Sequence, residues 1–535
     1  MTEVNKLNTT PAAATYDLVI VGLGPVGCTA AILCAEAGLK VAAIERDAEV
    51  YKLPRAVKLD GEILRAFQAI ARGHAVDELM QTVREGERAG FANSRREWLF
   101  GHEMKAFGTD GWQPSNMFDQ PEFERYLREE ALDHPNVTSF IGYAATDITN
   151  RTDEVSVVVN SDSEQTYAIS ARFLLGTDGA ASFVRKSIGA GWQDLGYNVD
   201  WLVVDVTTKP GHTLGMDTLQ VCDPDRIVSY ICTKDPYRRW EFKMLPGETR
   251  EEMLDEDRIT SLIDQWTPRG TYEIRRAAVY QFHAATADRW QSGNVFIGGD
   301  AAHQTPPFIG QGMNSGLRDV INLAWKLQLV IRGVCNVELL QSYEAERNAH
   351  SHDLVDWAVS VGKLMEHTAD VEQAARQGLP APETPAALRS SGYGQGRSLP
   401  PLRDGVILVD QVGEGSSTGH LFAQPEVTVA DGSPQKLDDL LGNGFALVLQ
   451  SEVLQSEHTN LSVRSREILD LLGAQIVSLE NLTVTRGRLD RLFKNFDAAL
   501  IRPDRVVFGH TDQTHSVDDL VQALATSLHL ANPLA

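Results

Sequence analysis

Four places along the chain combine residue types and spacings that could do chemistry. In the first, Gly22, Gly24 and Gly27 form the spacing GxGxxG, directly after the apolar run YDLVIV and before a helical pattern, CTAAILCAEAG. Glu45 ends the next apolar run, eighteen positions after Gly27. In such a unit one glycine permits a tight turn, the next lets the backbone approach a pyrophosphate, and the third allows close packing of helix on strand. The acid accepts hydrogen bonds from ribose hydroxyls, and the motif by itself fits FAD or NAD. In the second place, NVFIGGDAAHQTPPFIGQGMNSGLRDVINLAWKLQLVIRG, a short strand leads through a Gly-Gly-Asp corner and a Pro-Pro loop into a long helix that stops at Gly333. Gly310 and Gly312 stand where that helix begins, so its first N–H groups are uncovered by side chains and favour negative charge. Asp300, at the strand end, has the oxygens to hold hydroxyls. A molecule with both a polyol and an anion-forming ring would meet both demands. The third place, Arg55 in LPRAVKLDGEIL, and the fourth, Asp178 and Arg185 in FLLGTDGAASFVRKSIG, add cations and an acid at turns.

Taken together, these strings resemble the flavin signatures of the single-component aromatic hydroxylases, the class A flavoprotein monooxygenases. The string GDAAHxxPPxxGQGMNSGxxD carries most of the specificity, and the likeness runs over nearly the whole chain. It implies FAD. The N-terminal unit would hold the ADP half through Gly22, Gly24, Gly27, Glu45 and Arg46, and Asp300 would meet the ribityl chain or the pyrophosphate side. Pro307, Gly310, Gly312, Met313 and Asn314 match the stretch that faces the pyrimidine edge of the ring. Arg55 would contact the flavin phosphate or the nicotinamide cofactor, Gln120 the flavin, and Asp178 both FAD and the nicotinamide cofactor. The resemblance further implies NADH or NADPH as electron donor, with NADH favoured, and molecular oxygen as co-substrate. The expected reaction is ortho-hydroxylation of a small phenolic substrate in aromatic catabolism, through a flavin C4a-hydroperoxide. A hydrogen-bonded Tyr or His near the ring would help the phenol lose its proton, and Tyr280 and His283, on a strand leading towards the second signature, are the candidates. Tyr230, Trp240, His303 and Phe308 complete the expected pocket.

The elements that must position these groups are legible as patterns. YDLVIV, the following helix and the run Lys40 to Ile44 make a βαβ unit. A helix with Glu122 to Leu132 in its body is predicted to start at Ser115 or Asp119, and strands at Glu154 to Val159 and Tyr167 to Ile169. Between Trp201 and Ala285 the pattern alternates (WLVVDVTT, DTLQVCD, RIVSYICT, RRWEFKML, AAVYQFHAA), which predicts an antiparallel sheet roofing the flavin ring. A polar amphipathic helix is expected over Glu338 to Met365. Beyond the Pro-, Gly- and Ser-rich stretch Gly378 to Arg403 the pattern restarts as a compact α/β module resembling the thioredoxin-like domain of the phenol-hydroxylase branch. The expected fold class is therefore α/β: a Rossmann-like FAD-binding domain of the p-hydroxybenzoate hydroxylase type, an inserted antiparallel-sheet substrate domain and a C-terminal thioredoxin-like domain. The FAD-binding domain is expected to be discontinuous, made of segments 16–82, 112–195 and, with its helices, 285–377. Around it fall a disordered N-terminus (1–15), a substrate-domain loop region (83–111), the substrate-binding sheet (196–284), a linker (378–403) and the C-terminal domain (404–535).

Composition narrows the partners. With 535 residues the chain exceeds what one hydrophobic core usually serves. A net charge of −24 disfavours nucleic acid or an anionic membrane as the main partner. The five cysteines form no CxxC pair or metal-ligand spacing, none follows Cys335, and a reducing cytoplasm is the expected location. The polar start MTEVNKLNTTPAAAT lacks the apolar core of a signal peptide, and no stretch of eighteen uncharged apolar residues occurs. No membrane association is expected, and a homodimer fits the C-terminal module as a contact surface. Alternatives stay open at this level: a hydroxylase of another phenol, such as resorcinol or a chlorophenol, or a non-catalytic binding protein on the FAD fold. A flavin-dependent halogenase is disfavoured by the lack of any Trp-x-Trp.

Overall fold

The computed structural model describes residues 16–70, 74–389, 399–429, 432–451, 461–489 and 496–531. The readings of 1–15 as disordered and of 390–398 as linker lie outside the described residues. The cofactor sheet is built from the βαβ unit outwards. Its strands run in the order Gln291–Ser292, Val295–Ile297, Thr166–Gly176, Tyr16–Val21, Val41–Glu45 and Val137–Ile141. The last five are mutually parallel. Parallel strands with both faces covered must be apolar throughout, and Leu18, Val19, Ile20, Val41, Ala42 and Ala43 are fully buried. Helix Pro25–Glu36 starts with proline in its first turn, where no N–H is needed, and is small-residued enough for helix Gly312–Ile331 to pack closely against it.

The roof sheet has eight strands in the order His303–Gln304, Tyr272–Ala287, Trp192–Thr208, Tyr237–Lys243, Val228–Ile231, Thr218–Val221, Arg88–Ala92 and Trp98–Glu103. Alternation gives it one dry face, where Leu202, Val204, Tyr230, Trp240 and Phe242 form a core. The other face turns towards the cofactor sheet. The segment 83–111, legible only as loops or short strands, supplies two full strands of this sheet. Its glycines hid them: a Cβ at Gly90 would lie 2.3 Å from the Phe100 carbonyl oxygen, and one at Gly101 2.3 Å from that of Ala89. Strands that approach this closely have to drop the side chains that would have shown the alternation.

Helix Gln341–Arg376 runs past the expected end at Met365. Its buried stripe of Val355, Ala358, Val359, Val361, Met365 and Ala369 packs with Tyr197, Trp201 and Phe308, so the roof and the Pro-Pro loop extend it. In the C-terminal module the sheet order is Gln475–Ser478, Ala446–Leu449, Ala498–Ile501, Val507–His510. The first pair is parallel and the others antiparallel, with helices Val463–Leu471 and Val517–Ser527 completing the thioredoxin-like βαβ–ββα order. All five cysteines are buried and free. No helix among the described residues is long and apolar enough to cross a membrane.

The C-terminal module docks through buried charge. Arg502 donates to Glu346 at 2.8 Å and to Asp504 at 2.6 Å, and Lys326 lies 3.0 Å from Glu346, with the side chains of Arg502, Glu346 and Lys326 fully buried. Burial pushes the Glu346 carboxyl up, but Arg502 and Lys326 outweigh it and hold it down to about 2. A carboxyl depressed in the folded state stabilises it above the unfolded-chain value of about 4.3, and that contribution is lost as pH falls towards the folded value. Glu346→Ala, which strands the buried Lys326 and leaves Arg502 with Asp504 alone, is expected to cost about 3–5 kcal/mol. The check is the urea midpoint at pH 7 with unchanged slope, and a midpoint equal to wild type would show that docking does not depend on this carboxylate.

Candidate active site

A cavity of about 1390 Å³ runs from the C-terminal ends of the cofactor-sheet strands to the inner face of the roof. Pockets for one small molecule occupy roughly 300–1,000 Å³, so this space suits a cofactor and a second ligand together. The three glycines of the first motif divide by task, and of them Gly24 lines the cavity. A Cβ at Gly27 would lie 1.9 Å from the Gly22 carbonyl oxygen, so Gly27 is glycine for the helix-to-strand contact, and Gly22 takes φ +97° to make the turn. A Cβ at Gly24 would meet no protein atom within 4 Å, and Gly24 has an ordinary extended backbone. What needs its bareness is a ligand lying on the helix start.

Glu45 is fixed beside that turn, accepting from the Leu23 N–H at 2.7 Å and the Asp47 N–H at 2.8 Å. Arg46 is exposed and pairs with Asp47 at 3.2 Å, outside the cavity lining. Asp300 differs from both. Its carboxylate is open to the cavity yet enclosed by the molecule, it has no hydrogen-bond partner among the described residues, and burial pushes its carboxyl up against the pull of His303 and Arg55. Hydroxyl donors of a bound polyol would relieve it.

The helix Gly312–Ile331 begins without a side-chain cap, and a Cβ at Gly312 would also meet nothing within 4 Å. The first N–H groups, at Gly312 and Met313, have no acceptor in the helix and face the cavity lined by those residues. Asn314 has another duty. It is fully buried, accepts from the Asp60 N–H at 2.9 Å and donates to the carbonyls of Gly310 at 2.7 Å and Lys58 at 3.2 Å, so it ties the loop before the helix to the strand Lys58–Asp60. Gly310 takes φ +64° beside Lys58, and Pro307 opens the short turn Pro307–Ile309 that walls the cavity.

Arg55 lines the cavity with its guanidinium over the Tyr51 ring, 4.5 Å from the centroid. Gln120, the first residue of helix Gln120–Asp133, spends its Oε1 on the N–H groups of Arg55 and Ala56, at 2.9 and 2.6 Å. Asp178 accepts from Ser182 Oγ at 2.5 Å and from the Phe183 and Val184 N–H groups at 2.7 and 3.1 Å, so its carboxylate caps helix Phe183–Ser187. Its neighbours Thr177 and Gly179 line the cavity in its place, and Arg185 stacks on Trp192 at 4.1 Å.

The roof corrects some of the expected pocket. Tyr230 and Trp240 point into the dry core on the far side of the sheet, because alternation places them on the face opposite the cavity. His303 is buried beneath the Gly-Gly-Asp corner, with Nε2 2.8 Å from Asp319 and its ring stacked on Trp290. Phe308 does wall the cavity. Tyr280 lines it with Arg276 over its ring at 4.8 Å. His283, on the opposite parity of the same strand, is half-buried and also borders the cavity, with Nδ1 2.6 Å from Asn198 Oδ1.

On the cavity face the structure brings together charged residues that the pattern did not single out: Asp205, Arg239, Glu241 and Arg276. For Arg239 and Glu241 the signal was present as RRWEFK, charges alternating with aromatics inside a strand, but it reads equally as a solvated face, and Asp205 and Arg276 come from two other strands.

The open glycines, the unpartnered Asp300 and the uncapped helix start surround one crevice at the strand ends and fit the pyrophosphate, polyol and electron-poor ring of FAD. A family described as FAD binding domain matches residues 15–358, and one described as HcaD C-terminal domain matches residues 419–527. The chain is 31% identical to a 3-(3-hydroxy-phenyl)propionate/3-hydroxycinnamic acid hydroxylase of Burkholderia vietnamiensis (strain G4 / LMG 22486), across 93% of this chain and 94% of the relative. It is 33% identical to a hydroxylase of the same description from Mycolicibacterium gilvum (strain PYR-GCK), across 82% of this chain and 76% of the relative. In fold it is similar to the crystal structure of aklavinone-11 hydroxylase with FAD and aklavinone, with a TM-score of 0.75 and 21% identity over 96% of this chain and 99% of that one. Because the FAD-binding match spans more than half of the chain and the hydroxylases align with it almost end to end, this protein belongs to the family of FAD-dependent aromatic-ring hydroxylases.

Proposed function

We propose that the enzyme hydroxylates 3-(3-hydroxyphenyl)propionate, and 3-hydroxycinnamate, ortho to the phenol to give the 2,3-dihydroxy products, with NADH preferred over NADPH. The observation that carries this reading is that the relatives acting on these compounds align through the roof sheet as well as the cofactor domain. FAD, when bound, takes a hydride from the nicotinamide cofactor and uses molecular oxygen to hydroxylate the ring. The chain's own groups do the rest. Open N–H groups at Gly312 and Met313 stabilise negative charge at the pyrimidine edge. Asp300 holds ribityl hydroxyls, and Arg55 gives a cation to the phosphate or nicotinamide side. Pro307 and Phe308 keep water from the reacting face. Tyr280 hydrogen-bonds the phenolic ring from the roof, and His283 at the rim exchanges protons with solvent.

Two measurements test this reading. Asp300→Ala removes the unpartnered carboxylate and with it charge-assisted hydrogen bonds to the cofactor, so FAD should dissociate about 10–100-fold more readily. Flavin absorbance retained after gel filtration reads this directly, and full retention would remove Asp300 from the cofactor site. The second is NADH and NADPH oxidation by FAD-loaded enzyme with and without 3-(3-hydroxyphenyl)propionate, with peroxide and catechol followed separately. One catechol per NADH is the expected result. Stimulated oxidation that yields only peroxide would point to another phenol as substrate.

A further inference from the structure

The strand Tyr237–Lys243 carries a carboxylate that the roof does not use. Glu241 is 5% exposed and lines the cavity, while Trp240 and Phe242 on either side of it turn into the dry core. Its cross-strand neighbours are Ser229 and Val203. Ser229 donates to Gln220 Oε1 at 2.5 Å. Among the described residues no group donates a hydrogen bond to the Glu241 carboxylate.

The nearest cation is Arg239, whose Nη1 lies 4.0 Å away, beyond hydrogen-bond distance, and four of its five N–H hydrogens are committed elsewhere. Nε and Nη2 bond Asp205 at 2.7 and 3.1 Å, Nη1 bonds the Arg55 carbonyl at 2.6 Å, and Nη2 also bonds that of Pro54 at 3.0 Å. Arg276 bonds the Pro54 carbonyl and lies 3.7 Å from Asp205. A buried carboxylate with charge nearby and no donor is costly. A ligand donor arriving through the cavity removes that cost. The other cavity-lining glutamate buried to a similar degree, Glu62, is already bonded to Arg318.

We infer that Glu241 accepts the proton of the substrate's phenol, an assignment that rests on the phenol-hydroxylase reading. The step is a proton transfer alone. The phenolic O–H bond breaks, the proton goes to a Glu241 carboxylate oxygen, and the electron pair stays on the substrate oxygen, from which it enriches the ortho carbon. The proton returns to solvent before the next turnover. Tyr280 is two strands away on the same face, opposite Trp201 where Glu241 is opposite Val203. As a phenol it is chemically the same group as the substrate's hydroxyl and offers no stronger base than the one it would have to deprotonate. It orients the hydroxyl, and Glu241 is the base. Burial pushes the Glu241 carboxyl up, Arg239 and Arg276 draw it down and Asp205 pushes it further up, leaving it at about 7, where a general base works best at neutral pH. The groups that face it are Arg239 on its own strand, Asp205 on the next, and Arg276 and Tyr280 beyond, and both arginines keep their charge through this range.

The test is single-turnover catechol formation from 3-(3-hydroxyphenyl)propionate by FAD-loaded enzyme with NADH, measured against pH for wild type, Glu241→Gln and Glu241→Asp. Wild type should rise through a midpoint near 7, because the acceptor must be ionised. Glu241→Gln should lose at least about 100-fold in the hydroxylation rate and flatten the profile, while retaining FAD and changing KM by much less. Glu241→Asp should restore some of the rate with a displaced midpoint. A Glu241→Gln enzyme with wild-type rate and profile would overturn the assignment. Should that variant fail to fold or to hold FAD, an unchanged midpoint in Glu241→Asp overturns it equally. Wild-type enzyme that forms no catechol from this compound sinks the substrate reading instead, and the same three enzymes are then compared on the phenol that wild type does hydroxylate.

Discussion

The hold on Pro54–Ala56 is the contact on which the site depends. From above, Arg239 donates to the carbonyls of Pro54 and Arg55, and Arg276 donates to that of Pro54. From below, Gln120 accepts from the N–H groups of Arg55 and Ala56. The roof grips one edge of the segment and the cofactor domain the other, so the backbone groups between them have little freedom to move. This fixes the gap between the crevice floor and the roof face. Asp205 makes the grip persistent, since it neutralises Arg239 at 2.7 Å and keeps both arginines pointed at the loop. Loss of Asp205 would leave two buried cations adjacent to each other in the cavity wall, and their fields would fall on the reacting face.

The second support is under the Gly-Gly-Asp corner. Asp319 accepts from the Gly299 N–H at 3.0 Å, meets His303 Nε2 at 2.8 Å and accepts from Arg347 Nε at 3.0 Å. All of this is buried. Burial raises the Asp319 carboxyl, but His303, Arg347 and the Gly299 N–H together hold it below the usual carboxylate range. The effect is to pin Gly299, with φ +62°, and so to aim Asp300 outward into the cavity, its carboxylate without a hydrogen-bond partner among the described residues. One aspartate is satisfied so that its neighbour in the same turn can be left open for a ligand.

The sequence carried the cofactor half of this arrangement more clearly than the substrate half, and the reason is physical. A βαβ turn and an uncapped helix start are local: strand, glycines, helix and acid lie within a few tens of residues, and the spacing itself encodes the geometry. The roof face is assembled from residues far apart in the chain, so Glu241 and Arg276 become neighbours only once the strands are in register. Alternation identifies two faces of a strand but does not say which one meets the cavity. Aromatic residues were the natural guess for the pocket, and Tyr230 and Trp240 went to the other side because the sheet needs a dry core of its own. The charges were left to line the active face. The segment around Gly90 and Gly101 was illegible for a related reason, since its pairing is written in missing side chains.

The C-terminal module poses the remaining problem, since it has the thioredoxin-like arrangement without a thiol to use. Its residues Gly419, His420, Leu421, Arg505 and Val506 line the far end of the same cavity, and Arg65 reaches it through a two-pronged pair with Asp438 at 2.7 Å. Buried ion pairs such as this one and Arg502–Glu346 add little net stability over apolar packing, because desolvation offsets most of the attraction. They do impose one docking geometry, since any misplacement strands a buried charge. A hydrophobic interface could slide by a side chain and still be dry. Here the module is held in one position, which suits a wall that has to keep its end of the cavity closed while the roof and the crevice hold their ligands.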